Sequence, residues 1–266
     1  MVLGIPFGLL VLIFRLSPTG TIGFAASTIV SLVAITASVY VSRRFLDRRS
    51  FVSLGLQLDR HILPDLLAGI VITFIIIGII YLAMDSLGWI DFKGYAWQID
   101  PLPVVIIQLV IFVVVFLLVG WQEELLSRGY HLQTLASGTN LFWGVVLSSV
   151  IFGLLHLANP NARWVSAVGI FFAGLFLAAG YLRTGRLWLS IGLHIGWNFA
   201  EGVLFGFPVS GLAAYPLLRI QVHGPELWTG GAFGPEAGLI VLPALAIGVG
   251  LILVYTHFSG TSRPPI

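Results

Sequence analysis

Two adjacent carboxylates, Glu123 and Glu124, follow an apolar run from 103 to 120 that contains no ionisable residue. Charge inside a bilayer is costly, so carboxylates in such a setting are usually functional or paired. On a helix, Arg128 lies one turn after Glu124, at i,i+4, and supplies that carboxylate with a counter-ion. Glu123 points about 100° away and is left free. An unpaired carboxylate in apolar surroundings suits a general base.

Four further polar side chains lie deep in other apolar segments. His156 follows Phe152 by four residues, and Asn198 follows His194 by four, which places His194 and Asn198 on one helix face. Glu201, at i+7 from His194, lies on about the same face. One buried histidine is usually a hydrogen-bonded structural residue. Two carboxylates, two histidines and an asparagine in a chain nearly free of intramembrane charge instead indicate a functional site.

The composition determines what kind of chain carries these residues. The 266 residues are 58% hydrophobic and only 9% charged, against about 25% charged in soluble domains. We therefore predict an all-α, polytopic transmembrane helix bundle that forms a single integral-membrane domain over residues 1–266. The 13 basic residues form no long stripe, which argues against nucleic acid as a partner. The absence of cysteine excludes a thiolate nucleophile and cysteine metal ligands.

The apolar segments predict about eight spans, or seven if the short first segment, 2–14, does not cross. With eight spans and the N-terminus inside, nine basic residues lie on the inner side and four on the outer side. The positive-inside rule then places the C-terminus in the cytoplasm. For a prokaryotic chain, the expected location is the cell membrane. The predicted spans are 2–14, 19–41, 62–84, from 103 onward, 141–157, 165–182, 187–205 and 238–258.

The depths of the polar groups test whether they can meet. If the fourth helix continues past Arg128 to about residue 136, Glu123 lies roughly 20 Å from its inner end, and His156 lies roughly 22 Å deep in the fifth. If that helix stopped at Arg128, Glu123 and His156 would lie at opposite faces. Convergence therefore predicts a long fourth helix and a catalytic cavity that opens toward the cytoplasmic half.

The ordered motifs resemble those of the CPBP family, the type II CAAX prenyl endopeptidases and their bacterial Abi relatives. Each motif alone is weak, but the ordered triple on separate apolar segments is specific, and its core covers about residues 103–205. The Gly-rich segment 230–238 also resembles the C-terminal loop of bacterial members. The motifs are Glu-Glu-x-x-x-Arg (Glu123, Glu124, Arg128), Phe-x-x-x-His (Phe152, His156) and His-x-x-x-Asn (His194, Asn198).

The resemblance implies an intramembrane endopeptidase that acts on a membrane-associated protein, with prenylated CAAX proteins as one substrate class. Peptide hydrolysis needs an activated water, oxyanion donors and a proton donor for the leaving amine. Glu123 suits the base, His156 can help to hold the water, and His194 with Asn198 can donate to the oxyanion. Glu124, paired with Arg128, is more consistent with an architectural role than with a direct one, and Arg128 and Phe152 are expected to give structural support.

The metal dependence of this chemistry is open at the level of sequence. Glu123, His156 and His194 form a reasonable Zn²⁺ set of three protein ligands plus water. Their spacing differs from His-Glu-x-x-His, which places two ligands one turn apart on a single helix. A glutamate mechanism without metal uses the same residues and is slightly favoured.

Two other classes of function compete with the peptidase. In a non-catalytic membrane factor of the chaperone or immunity type, the polar cluster would bind a partner peptide. In a transporter, intramembrane glutamate and histidine would relay protons. The sequence shows no inverted repeat of broken helices, which argues against transport.

Overall fold

The computed structural model of the protein describes residues 21–259, with side chains from residue 23 onward. Seven helices, one of them short, and two short strands form its frame. The elements are α1 (Thr21–Val41), α2 (Ile62–Ser86), β1 (Ile90–Tyr95), α3 (Leu102–Gly138), α4 (Leu141–Leu155), α5 (Trp164–Thr184), α6 (Leu187–Asn198), β2 (Leu218–Val222) and α7 (Val241–Phe258).

Six helices in the described part of the chain are long and apolar enough to cross a membrane: α1 to α5 and α7. They correspond to six of the eight predicted spans. The first predicted span, 2–14, lies outside the described residues. The seventh, 187–205, is present as α6 and a π-helical extension but is not among the six. The count of eight and the side on which the C-terminus lies remain predictions.

The short α6 is the central helix of the bundle. Eleven of its 12 residues are buried, as expected for a helix that is apolar all round. Glycines bring it close to α2, as small residues do in membrane bundles. A Cβ added to Gly192 would lie 2.8 Å from Leu66 Cα, and one added to Gly196 would lie 2.6 Å from Ile70 Cα. Because these backbones touch, no larger residue fits at either position.

A buried polar network ties three helices together at one end of the bundle. Arg186, just before α6, pairs with Asp65 of α2 at 2.8 Å, and Tyr255 of α7 donates to the same carboxylate at 2.7 Å. Asp65 is fully buried and Arg186 is 3% exposed. A buried carboxylate held by a cation and a hydroxyl is satisfied, so this network fixes where α2, α6 and α7 begin or end.

The structure adds a small sheet to the predicted all-α fold. Strands β1 and β2 pair antiparallel, from Ile90 opposite Val222 to Tyr95 opposite Leu218. The first strand lies between the third and fourth predicted spans, and the second lies between the seventh and eighth. The sheet was not predicted because each strand is only five or six residues long and their pairing joins segments more than 120 residues apart.

Filling the contact between α2 and α6 is expected to destabilise the bundle. Gly192→Ala should lower the free energy of unfolding by about 1–3 kcal/mol, because the added methyl meets the backbone of Leu66. Gly250→Ala on α7 is the matched control, since a Cβ there meets nothing within 4 Å. Thermal unfolding in detergent measures both variants, and equal melting temperatures would contradict the packing argument.

Candidate functional site

The site is built on α3, which runs unbroken for 37 residues. The predicted continuation past Arg128 is therefore present. The helix is regular as far as Glu124, widens to a π-helix over Leu125–Leu132 and ends as a short α-helix. The same change follows Asn198 at the end of α6, where Phe199–Leu204 is π-helical. π-Helical turns are rare in proteins as a whole, but those that occur often lie at functional sites.

Arg128 is buried, with 1% of its surface exposed. Its Nη1 lies 2.8 Å from Glu124 Oε1, and its Nη2 donates to the carbonyl of Gly174 on α5 at 2.9 Å. The guanidinium carbon lies 4.4 Å from the centre of the Phe152 ring on α4. The predicted pair between Glu124 and Arg128 is thus present, and Phe152 covers the face of the cation.

Glu124 also binds His194, a contact that sequence reasoning missed. The Nδ1–H of His194 donates to Glu124 Oε1 at 2.7 Å, and the same oxygen receives Arg128. Glu124 is fully buried and His194 is 6% exposed. The carboxylate therefore sets the orientation and tautomer of the ring, as partners of functional histidines commonly do. The i,i+4 rule predicts a partner on the same helix, whereas a partner on α6 depends on how the two helices are rotated.

His156 lies at the point where α4 ends and the chain turns into a short 3₁₀ helix. Its Nδ1 is 2.8 Å from the carbonyl of Phe152. Since a carbonyl only accepts, Nδ1 carries the proton and donates. The other ring nitrogen, Nε2, faces Glu123, whose Oε2 is 3.8 Å away.

Glu123 faces both histidines across one space. Its Oε2 is 3.7 Å from His194 Nε2 and 3.8 Å from His156 Nε2, and this oxygen is buried without a hydrogen-bond partner. The Glu123 side chain as a whole is 28% exposed, unlike that of Glu124. When neither Nε2 atom carries a proton, three acceptors converge and none can donate to another. A water molecule, a proton on one ring or a metal ion would satisfy them.

The distances between these three candidate ligand atoms can be compared with those in a zinc site. Ligands of a tetrahedral zinc lie roughly 3.3 Å from one another, given bonds of about 2.0–2.1 Å. The distances from Glu123 Oε2 to His194 Nε2 and to His156 Nε2 are 3.7 and 3.8 Å, which is wider. Among residues 21–259, no group of three histidine, aspartate or glutamate side chains is arranged so that it could hold a metal ion. As placed in the structure, Glu123, His156 and His194 are therefore spaced more widely than the ligands of a bound zinc ion, and they are the residues that would hold one.

Asn198 and Glu201 continue the inner face of the sixth helix. Asn198 is 6% exposed, and its amide makes no hydrogen bond within the described part of the chain, so it is available to a ligand. Glu201 is fully buried, and its Oε2 accepts from Trp197 Nε1 at 2.7 Å while Oε1 has no partner. Asn198 thus lies one turn after His194 on the same helix, whereas Glu201 lies in the π-helical extension and is bound by Trp197.

One further carboxylate near the site was not singled out from the sequence. Glu236, in the segment before α7, is 4% exposed and accepts two hydrogen bonds from Ser210. Burial raises the pKa of Glu236, while the Ser210 bonds and the nearby rings of His156 and His194 act in the opposite direction. No spacing rule connects it with the motifs, because it lies 38 residues beyond Asn198 in an irregular segment.

Comparison with known proteins gives two matches. Residues 105–200 match the family model described as type II CAAX prenyl endopeptidase Rce1-like, which lies within the segment that carries the motifs. The resemblance to the CPBP family is confirmed. The chain is also 36% identical over 76 residues to "Putative membrane peptidase YdiL" of Bacillus subtilis (strain 168). That match covers 29% of this chain and 29% of the relative. No solved structure matches.

Together with the six apolar helices, the CPBP match identifies the chain as a multi-pass integral membrane protein. The family match runs from the first turn of α3 to the start of the π-helical segment after Asn198. It therefore includes every motif residue and leaves out Ser210 and Glu236.

Removing the buried cation is expected to cost far more stability than removing an exposed one. Arg128→Met should lower the free energy of unfolding by about 3–5 kcal/mol, because Glu124 would remain buried without its counter-ion. Arg163→Met is the matched control: Arg163 pairs with Glu226, and both side chains are more than half exposed. Its loss should cost less than about 1 kcal/mol. Chemical unfolding in detergent compares them, and similar losses would refute the argument.

Proposed function

We propose that this protein is an intramembrane endopeptidase that hydrolyses a peptide bond of a membrane-associated protein. The observation that carries the proposal is the convergence of Glu123 with the Nε2 atoms of His156 and His194 at 3.7–3.8 Å. The match to the CAAX endopeptidase family and the similarity to a relative named as a membrane peptidase support it. Prenylated CAAX-type proteins are the substrate class to test first.

Glu123 acts as the general base in this mechanism. A water molecule in the space between the three side chains donates one proton to Glu123 and one hydrogen bond to His156 Nε2. The oxygen of that water then attacks the scissile carbonyl. Glu123 holds the abstracted proton and delivers it to the leaving amine, which completes hydrolysis without a covalent intermediate.

His194 and Asn198 stabilise the oxyanion in this scheme. The Nδ1–H of His194 is already donated to Glu124, so the ring donates to an oxyanion only when Nε2 is protonated as well. Two carboxylates, Glu123 and Glu124, face this ring in positions that favour an imidazolium. The Asn198 amide, one turn further along the helix, supplies a second donor.

No step in this scheme requires a metal ion, because Glu123 takes the proton of the water directly. We further propose that the cavity opens toward the cytoplasmic half and that the C-terminus is cytoplasmic. The distribution of basic residues supports this orientation.

Substitution of the base tests the proposal most directly. Glu123→Gln keeps the shape of the side chain and should lower kcat by about 10²–10⁴-fold, because an amide does not accept the proton of water. Its melting temperature should stay near that of the wild type, since Glu123 has no ion pair with a lysine or arginine in the described structure. The assay uses purified protein with a quenched prenylated peptide beside a non-prenylated membrane peptide. Full activity in Glu123→Gln would exclude the peptidase mechanism and favour a non-catalytic binding factor.

Chelation tests the absence of a metal step. We expect cleavage to continue after treatment with a strong chelator and exhaustive dialysis, because Glu123 acts on water directly. Glu123→Gln and His194→Ala serve as inactive references in the same assay. Loss of activity on chelation, followed by recovery with Zn²⁺, would overturn the metal-free mechanism while leaving the peptidase function in place.

A further inference from the structure

Glu236 lies outside the three motifs, yet its buried carboxylate accepts two hydrogen bonds from a single residue, Ser210. Its Oε2 accepts the backbone N–H of Ser210 at 2.6 Å and the hydroxyl of Ser210 at 2.7 Å. A buried carboxylate is costly unless it is hydrogen-bonded, and two donors on one oxygen offset part of that cost. The carboxylate and Ser210 therefore act as one unit.

Ser210 has a backbone conformation that requires outside support. Its φ is +48°, in the left-handed region that residues other than glycine rarely adopt. Strain of this kind costs on the order of 1–3 kcal/mol and persists only where the surroundings enforce it. The two bonds from Ser210 to Glu236 supply that enforcement, and the next residue, Gly211, donates its N–H to the carbonyl of Phe233 at 2.7 Å. The segment around Ser210 is thus fixed by the segment that carries Glu236.

Ser210 is in turn connected to the turn that carries His156. The carbonyl of Ser210 accepts the side-chain N–H of Asn159 at 3.0 Å, and the backbone N–H of Asn159 donates to the carbonyl of His156 at 3.1 Å. His156 lies just beyond the last residue of α4, where helix ends leave carbonyls unpaired and tend to fray. The bonds from Glu236 through Ser210 and Asn159 therefore reach the backbone of His156.

We propose that Glu236 is a positioning residue for His156, acting through Ser210 and Asn159. It holds the turn after α4, so that the Nε2 atom of His156 stays directed at Glu123. The catalytic consequence rests on the proposed function, in which His156 holds the attacking water. The orientation of the His156 ring does not depend on the proposed function, and it can be measured whether or not the protein cleaves a peptide.

The ring of His156 reports on the connection in an NMR experiment on full-length protein labelled with ¹⁵N-histidine. The His156 signals are assigned with His156→Gln. Glu236→Ala and Asn159→Ala should shift or broaden the same His156 resonances, because each breaks one end of the connection. Glu236→Gln should restore a spectrum close to that of the wild type, since the amide oxygen of glutamine can accept both bonds from Ser210.

A surface carboxylate provides the matched control. Asp91 on β1 lies 2.9 Å from His223 Nε2, and both side chains are exposed. Asp91→Ala should move the His223 signal and leave that of His156 unchanged. If His156 is unaffected in a folded Glu236→Ala or Asn159→Ala variant, the inference is wrong. Should Glu236→Ala fail to fold, Asn159→Ala and Ser210→Ala decide the question, because Asn159 is only half-buried and Ser210→Ala removes a single hydroxyl.

Kinetics separate the positioning role from the proposed function. Glu236→Ala and Asn159→Ala should each lower kcat by about 10–10²-fold with little change in KM, as a small misplacement of a reacting group does. The double variant should be no slower than the slower single variant, because both act through one connection. If Glu236→Ala and Asn159→Ala both change the His156 resonances but the wild type has no peptidase activity, the proposed function is refuted. The positioning of His156 by Glu236 would still stand. Additive losses in the double variant would overturn the connection.

Discussion

The charge of Arg128 inside the helix bundle is the constraint on which the site depends. A guanidinium that is 1% exposed must be matched within the protein, and its partners come from three helices. Glu124 on α3 supplies the opposite charge, Phe152 on α4 covers the cation, and the carbonyl of Gly174 on α5 accepts from it. Glu124 then receives His194 from α6. One buried cation therefore holds together the helices that carry the candidate catalytic residues.

This constraint gives two neighbouring carboxylates different environments. Glu124 is fully buried, and its Oε1 accepts from both Arg128 and His194. Glu123 points to the partly open side, with 28% of its side chain exposed and no lysine or arginine paired with it in the described structure. Two titratable groups in contrasting surroundings are a common basis for separate roles. Here we assign structural support to Glu124 and proton transfer to Glu123.

A second level of support lies outside the motif segment. The central helix α6 is fixed laterally by close backbone contact with α2 and at its start by the pair of Arg186 with Asp65. The irregular segments beyond α6 fold back on the end of α4, where Ser210 joins Asn159 to Glu236. The two histidines are therefore held by different means: His194 by a buried carboxylate, and His156 by the turn on which it lies.

Composition and spacing determined the class of the protein and the identity of the candidate residues. Low charge and long apolar runs indicate a helical membrane protein, and the i,i+4 rule predicts the pair of Glu124 and Arg128, because both depend only on local helix geometry. Depth along the bilayer also predicted the long α3, since rise per residue is fixed. The contact of Glu124 with His194, the sheet of β1 with β2 and the bonds of Glu236 were decided by tertiary structure. Each depends on how helices rotate and where irregular loops return, which no local periodicity in the sequence records.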